Sequence, residues 1–327
     1  MMKQLRFLSS TSFDPYYNLA AEQHLMNTLE ADTAILFLWQ NQHTVVLGRN
    51  QNPWRECRTS LLEADGGHLA RRFSGGGAVY HDLGNLNFTF LLPTSDYDVP
   101  KQLSVILEAC RELGIPAEAT GRNDLTVEGR KFSGNAFYKN GNVSCHHGTL
   151  MVQVDREKLG RYLNPSPAKL HSKGVASVRS RVVNLSELRE GLTCVDLHEP
   201  LKSAFSRVYG LPCQVRALTD CPEIKNLRRK FSAWDWIYGP KLPFSFTCES
   251  RFSWGEVSLA LDINQGIIRN AQVCTDSMDW TLAQRLEKAL TGCRFSQEAM
   301  SAAIGSTFES EITICQDLIR MLAEQEI

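Results

Sequence analysis

Helical and extended periodicities alternate along the chain. Asp14-Pro15 reads as an N-cap followed by a first-turn proline, and Leu19, Met26 and Leu29 follow near helical spacing, which predicts a helix over 16–29. Ile35–Trp39 and Thr44–Gly48 are rich in strand formers, and Gln40-Asn41-Gln42-His43 between them suits a hairpin. Residues 59–65, ended by Gly66-Gly67, suggest a short helix. Period-two alternation returns at 86–92: Leu86, Phe88 and Phe90 fall on one face, Asn87 and Thr89 on the other, and Pro93 is a stop. Lys101–Leu113 places Leu103, Ile106, Leu107 and Cys110 on one helical face and closes at Gly114. Residues 121–136 then read as strand, Glu128-Gly129 turn, strand, and Asn140-Gly141 is a hairpin turn that returns the chain through 143–152.

Beyond this the pattern loosens. Residues 164–185 read as a loop holding Pro165, Pro167, Gly174, Lys173, Arg179 and Arg181, and a loop of that length is more often functional than merely connecting. A helix is expected over 196–209, with Pro200 close to its true start. Residues 211–246 show little regular pattern. Alternation over 252–276, with Gly266 near a turn, predicts strands, and 282–290 and 308–322 read as helices. A boundary near 245 divides residues 1–245, an α/β domain of mixed order, from residues 246–327, a small α+β domain.

A chain of 327 residues suits two domains. The net charge of −1 gives no field for non-specific nucleic-acid binding, so nucleic acid is set aside. Apolar runs such as 34–39 and 88–92 are far shorter than the roughly 20 residues that cross a bilayer, so no membrane partner is expected. The first ten residues lack the apolar core of a signal peptide, and a cytoplasmic protein is expected. The ten cysteines are scattered singly, without the close spacing of zinc or redox motifs, and read as reduced, mostly buried side chains.

The chemistry concentrates in two places. Arg71-Arg72-Phe73-Ser74-Gly75-Gly76-Gly77-Ala78-Val79-Tyr80-His81-Asp82 joins two guanidinium forks to a triple glycine. No Lys-Ser or Lys-Thr follows, and the next element reads as a strand, so this is not a Walker loop; anion binding would come from loop amides and the arginines. A plain hairpin remains the other reading. The second place is the 121–152 region, where Lys131 and His147 fall on adjacent antiparallel strands beside small residues. From spacing alone Lys131 is either a ligand-facing or a solvated hairpin lysine, and His146-His147 reads as a satisfied, partly buried pair ahead of the alternative of a metal site, since no third ligand stands nearby in the sequence.

With these runs, Asp14-Pro15 and Asn18-Leu19-Ala20, Phe37-Leu38-Trp39, Val45-Val46-Leu47-Gly48-Arg49, Gln51-Asn52-Pro53-Trp54, and Trp254 with Thr275-Asp276-Ser277, the chain resembles the lipoate-protein ligase family over nearly its full length. The resemblance implies a class II synthetase-like, biotin-ligase-like α/β catalytic domain with a small α+β C-terminal accessory domain. It implies two half-reactions: lipoate attacks the α-phosphate of ATP, with magnesium, to give lipoyl-AMP and pyrophosphate, and the acyl group passes to a carrier lysine. Lys131 matches the family's catalytic lysine. Arg72, Gly77, Ala78, Val79 and Tyr80 match its nucleotide-contacting loop, and Asn123 and Asp124 lie near the nucleotide, Asp124 being a candidate for magnesium or for the incoming amine. His147 matches the histidine beside the acyl site, and Arg72 and Lys131 also face lipoate. Val45, Val46, Leu47, Gly48 and Phe88 are candidate walls of an acyl tunnel, against the reading that they are ordinary core. The run holding Gly174, Val178 and Arg179 matches a loop that closes over the adenylate. Implied partners are lipoyl domains of 2-oxoacid dehydrogenase complexes and the glycine-cleavage H protein.

Two rivals share this fold. An octanoyl or lipoyl transferase working through a thioester needs a cysteine nucleophile; the places where related transferases carry it hold none here, and Cys145, near the site in sequence, has nothing beside it that marks an activated thiolate. A lipoyltransferase taking preformed lipoyl-AMP would carry the same adenylate motifs.

Overall fold

Asp14 caps the first helix as its sequence predicts: Oδ1 accepts from Tyr16 N at 2.9 Å, a contact worth about 1 kcal/mol. In the computed structural model, which describes residues 2–120, 124–164, 182–239 and 245–325, that helix is Pro15–Asn27, ending before Leu29. The chain divides into two compact units. The first comprises Met1–Leu47, Trp54–Arg72 and Ala78–Ile237, the second Gly48–Pro53, Phe73–Gly77 and Tyr238–Ile327.

The first unit holds strands β1 (Gln4–Ser9), β2 (Thr33–Trp39), β3 (Thr44–Leu47), β4 (His68–Arg71), β5 (Val79–His81), β6 (Asn85–Pro93), β7 (Glu118–Thr120), β8 (Asp124–Val127), β9 (Arg130–Asn140), β10 (Val143–Met151) and β11 (Cys213–Val215). Eight of them form a mixed sheet in the order β11-β1-β2-β6-β10-β9-β8-β7, and β4-β3-β5 form a second, small sheet. The hairpin expected between 35–39 and 44–48 does not form. β2 pairs with β1 and β6, and β3 with β4 and β5, so the Gln40–His43 link is a passage between sheets, with His43 turned to φ 43°. All seven residues of β2 are buried, which a half-exposed hairpin strand would not allow.

Alternation sorts the large sheet as its pattern predicts. Leu86, Phe88 and Phe90 enter a core with Val105 and Ile106 of the helix Val99–Glu112 and with Leu201 and Phe205 of the helix His198–Tyr209. Pro200 sits in the first turn of that last helix, where its missing N–H is harmless, and Gly210 at φ 69° ends it. Asn87 and Thr89 face the other side, toward Glu22 of the first helix. Residues 211–239, expected to be irregular, instead contain the helices Pro222–Ser232 and Trp234–Tyr238.

The second unit is built on an antiparallel meander of β12 (Phe246–Phe252), β13 (Gly255–Asn264) and β14 (Ile267–Thr275), with Gln265 and Gly266 both at positive φ in the turn. Helices Leu282–Leu290, Gln297–Thr307 and Ile312–Ala323 cover it, and Val257, Leu259, Leu286, Met300, Phe308 and Leu318 fill the core. The alanine-, serine- and glycine-rich helix 297–307 carries too few apolar positions to be seen by period, and the helix expected from 308 starts at Ile312. Two segments from early in the chain belong to this unit. Thr275 N donates to Asn50 O at 2.9 Å, Asn50 Nδ2 to Trp280 O at 3.0 Å, Gly76 N to Ser277 O at 3.1 Å and Arg49 N to Ser74 O at 2.8 Å. Among the described residues no helix is long and apolar enough to cross a membrane.

Candidate active site

Lys131 owes its direction to a bulge. Glu128 and Gly129 turn the β8–β9 hairpin at φ 52° and 72°, a conformation that suits glycine and strains most other residues. Behind the turn Thr126 pairs with Lys131 but Leu125 pairs with Ser133, so one extra residue stands on β9. Without it Lys131 would share the face of Ser133 and Leu125, which is core. With it, Lys131 joins Thr126, Asp124 and Gly134 on the opposite face. There Nζ lies 2.6 Å from Asp124 Oδ1, both side chains partly exposed, and the absent side chain of Gly134 leaves the room: a Cβ on it would stand 3.0 Å from Nζ. Val183 N donates to Lys131 O at 2.9 Å, tying the lysine's backbone to the chain returning after residue 181.

Cross-strand register extends this face. Trp39 pairs with Asn87, Asn87 with Thr149, and Gly134 N donates to Thr149 Oγ1 at 3.3 Å. The next row is Phe37, Thr89, His147 and Ala136. At ~4.8 Å between strands and ~6.8 Å per two residues, His147 and Lys131 mark the two ends of one track of residues along this face. His147 is buried, and its Nδ1 donates to Glu22 Oε1 at 2.7 Å. The same oxygen accepts from Thr89 Oγ1 at 2.6 Å, and Trp39 Nε1 donates to Thr89 Oγ1 at 3.0 Å. Glu22 is completely buried, and its Oε2 has no hydrogen-bond partner among the described residues. Phe88 lies on the opposite face beside His146, at 5.6 Å between ring centroids, so it is core and not a wall of this track. His146 is likewise structural: its ring nitrogens lie 2.8 Å from Gln102 Oε1 and 2.8 Å from Asn135 Oδ1, and burial, with His147 a smaller cause, holds it down to about 3.

The two arginines of the glycine run have different positions. Arg71 turns Nε onto Ile237 O at 2.8 Å, with Nη2 on the same carbonyl, while Trp236 Nε1 donates to Arg71 O at 2.8 Å; its fork closes the first unit rather than facing a ligand. Arg72 is buried, with Nη1 on Val46 O at 3.3 Å. Burial lowers it to about 10 against the opposing pull of Glu22, which leaves a cation at neutral pH. Val46 and Leu47 are buried in β3, beside Val79 and Arg71 in register. Tyr80 is buried and pairs with Val45, and Ala78 and Val79 precede it on the way out of the glycine loop. His81, buried next to Trp39 at 6.3 Å, is pushed down to about 3 by burial and then by Arg72 and His147. Its Nδ1 accepts from Asn41 Nδ2 at 3.2 Å, and Nε2 is a second buried atom without a partner among the described residues.

Gly48 and Gly77 belong to the second unit. A Cβ on Gly48 would lie 2.0 Å from Gly76 O, whereas one on Gly77 meets nothing within 4 Å. Asn123, Gly174, Val178 and Arg179 lie outside the described residues. Sequence reasoning missed Glu22, Thr89, Trp39 and His81 as companions of His147. Cys145 is fully buried, and burial pushes its thiol well above the ordinary value, the opposite of what a thiolate nucleophile needs.

Residues 14–206 match the lipoyl protein ligase A/B catalytic domain, and residues 241–321 match the bacterial lipoate protein ligase C-terminus. The chain therefore belongs to the lipoyl protein ligase A/B family, as the motifs led us to expect. Within that class it is 42% identical over 309 residues to lipoate-protein ligase A of Psychrobacter cryohalolentis, covering 91% of each chain. Among solved structures, P. falciparum LipL1 in complex with lipoate superimposes with a TM-score of 0.83 at 30% identity, over 95% of this chain and 99% of that one. A bi-partite lipoate protein ligase from Thermoplasma acidophilum, studied with its E2 lipoyl domain, gives 0.64 at 24% identity over 75% of this chain and 100% of that one, a likeness of fold.

Proposed function

We propose that this chain activates free lipoate with ATP to lipoyl-AMP, releasing pyrophosphate, and passes the lipoyl group to the ε-amine of a carrier lysine. The observation that carries the reading is Lys131, turned by the β8–β9 bulge onto the face that also holds His147. A carboxylate and an α-phosphate repel each other, and a cation already fixed at their meeting point lowers the barrier without reorganisation. In this reading Lys131 holds both anions and Arg72, buried and charged, serves the acyl carboxylate and the nucleotide. Asn123 and the backbone of Gly77, Ala78, Val79 and Tyr80 contact the nucleotide. The acyl chain runs from Lys131 toward His147, with Val46 and Leu47 as further contacts.

One carboxylate beside a lysine fits magnesium bound mainly by phosphate oxygens: Asp124 would hold the ion, which supplies charge neutralisation on the phosphates. Residues 1–245 would form the lipoate- and ATP-binding part and 246–327 the accessory part, in keeping with where the two family descriptions fall. Carriers would be lipoyl domains of 2-oxoacid dehydrogenase complexes and the glycine-cleavage H protein. A cytoplasmic setting agrees with ten cysteines that are all unpaired.

The test is pyrophosphate release from the purified protein with ATP, magnesium and lipoate, first alone and then with an unmodified lipoyl domain. Lipoate-dependent release followed by a carrier mass gain of one lipoyl group is expected. Carrier modification only from supplied lipoyl-AMP would make the protein a transferase.

A further inference from the structure

Cys145 and His147 are two residues apart on β10 and so point to the same side of the sheet, and the helix Pro15–Asn27 brings Glu22 onto that side. All three side chains are buried, and one ligand atom from each lies within 4.8 Å of the others. The set is a thiol sulfur, an imidazole nitrogen and a carboxylate oxygen, the donors that zinc-class ions take in three-ligand sites with one position left open. A second observation points the same way: Glu22 Oε2 is a fully buried carboxylate oxygen with no hydrogen-bond partner among the described residues. The oxygen of an ionised carboxylate can only accept, and buried without a donor it is costly unless a cation or ligand completes it.

We propose that Glu22, Cys145 and His147 form a binding site for one zinc-class divalent ion. A carboxylate and a thiolate balance the two positive charges, so the occupied site buries no net charge. The cysteine proton leaves as the Cys145–metal bond forms, the ion itself making the thiolate the stable form, and His147 binds through whichever ring nitrogen carries no proton. Hard ions such as magnesium are excluded by the sulfur. The supporting contacts are in place: Thr89 Oγ1 donates to Glu22 Oε1, and Trp39 Nε1 donates to Thr89, which fixes the carboxylate's orientation. Arg72, His81, His146 and Tyr97 are the other titratable groups coupled to this cluster; Arg72 opposes the cation, and the two anionic donors neutralise the ion itself but not Arg72. A corollary rests on the acyl-site reading above: because His147 would stand beside the acyl tail, a bound ion would compete with lipoate.

The deciding experiment titrates substrate-free protein with Co2+ alone and then displaces it with Zn2+. One cobalt per chain with thiolate-to-cobalt charge-transfer absorption in the near ultraviolet is expected, lost in Cys145→Ser, and Thr89→Val should weaken affinity by about 10–100-fold. Should Cys145→Ser not fold, X-ray absorption of the zinc-loaded natural chain decides: one sulfur at about 2.3 Å among nitrogen and oxygen at about 2.0–2.2 Å is expected. No binding, binding without charge transfer, a band that persists in Cys145→Ser, or a zinc shell without sulfur overturns the site. Zinc inhibition that more lipoate does not relieve overturns the corollary alone, since the cobalt titration involves no substrate.

Discussion

Lys131 Nζ stands 2.6 Å from Asp124 Oδ1 because β9 carries one residue more than β8 between Thr126 and Leu125. The pair is partly exposed, where ion pairs contribute little to stability, typically under about 1 kcal/mol. Its geometry is therefore better explained by chemistry than by folding. Lys131→Ala should reduce lipoate-dependent pyrophosphate release by roughly 100-fold or more while leaving the unfolding midpoint almost unchanged. Asp124→Asn keeps the shape but loses the anion, and should lower release less than Lys131→Ala. A Lys131→Ala protein that no longer unfolds cooperatively would make the lysine structural and count against the proposal.

Gly134 gives a finer test of the same geometry. Its added Cβ would lie 3.0 Å from Lys131 Nζ and 3.2 Å from Cε, both at the far end of a flexible side chain. The fold can yield by moving the lysine. Gly134→Ala should thus cost less than about 1 kcal/mol yet slow adenylate formation, with kcat falling more than the KM for lipoate rises. Equal loss of stability and activity would show instead that the backbone shifted.

Gly48 and Gly77 should separate where they look alike in sequence. A Cβ on Gly48 would stand 2.0 Å from the carbonyl oxygen of Gly76, a backbone atom that cannot rotate away, while Gly77 has open space around it. Gly48→Ala is expected to cost about 2–4 kcal/mol as read by chemical denaturation, with activity lost along with the glycine loop's position. Gly77→Ala should keep the midpoint and raise the KM for ATP if the loop amides cradle the nucleotide.

The parts that were legible in the sequence are those set by neighbouring residues. Glu128-Gly129 and Asn140-Gly141 announce their turns, so the hairpins that carry Lys131 and His147 were readable, as was the face of Leu86, Phe88 and Phe90. The partner of His147 was not, because Glu22 lies 125 residues earlier and nothing local marks a glutamate in a helix for burial. The bulge was equally hidden: alternation alone puts Lys131 on the face of Ser133, and only the pairing with β8 reveals the extra residue. β3 was assigned to the wrong neighbour since a four-residue link resembles a hairpin whatever its strands pair with at long range. The capture of 48–53 and 73–77 by the second unit depends on backbone hydrogen bonds, such as Gly76 N to Ser277 O, which no side-chain pattern encodes. Arg71 read as a ligand fork until its carbonyl partner at Ile237 was seen.

Two buried imidazoles should make the first unit acid-labile. His81 and His146 are held down to about 3, mainly by burial, against an ordinary value near 6.5 in the unfolded chain. Between those limits the unfolded chain binds protons that the folded chain refuses. Stability is therefore fully present above about pH 6.5 and falls as the pH drops toward 3, by about 2 kcal/mol per histidine between pH 7 and pH 5. Denaturant unfolding at pH 7, 6 and 5 should show the midpoint falling at each step. His146→Gln removes one titrating ring from both states; the variant will be less stable at pH 7, but its midpoint should fall less steeply on acidification. A slope identical to that of the natural chain would mean that His146 keeps an ordinary proton affinity in the folded state, and that its contacts with Gln102 and Asn135 hold a charged ring.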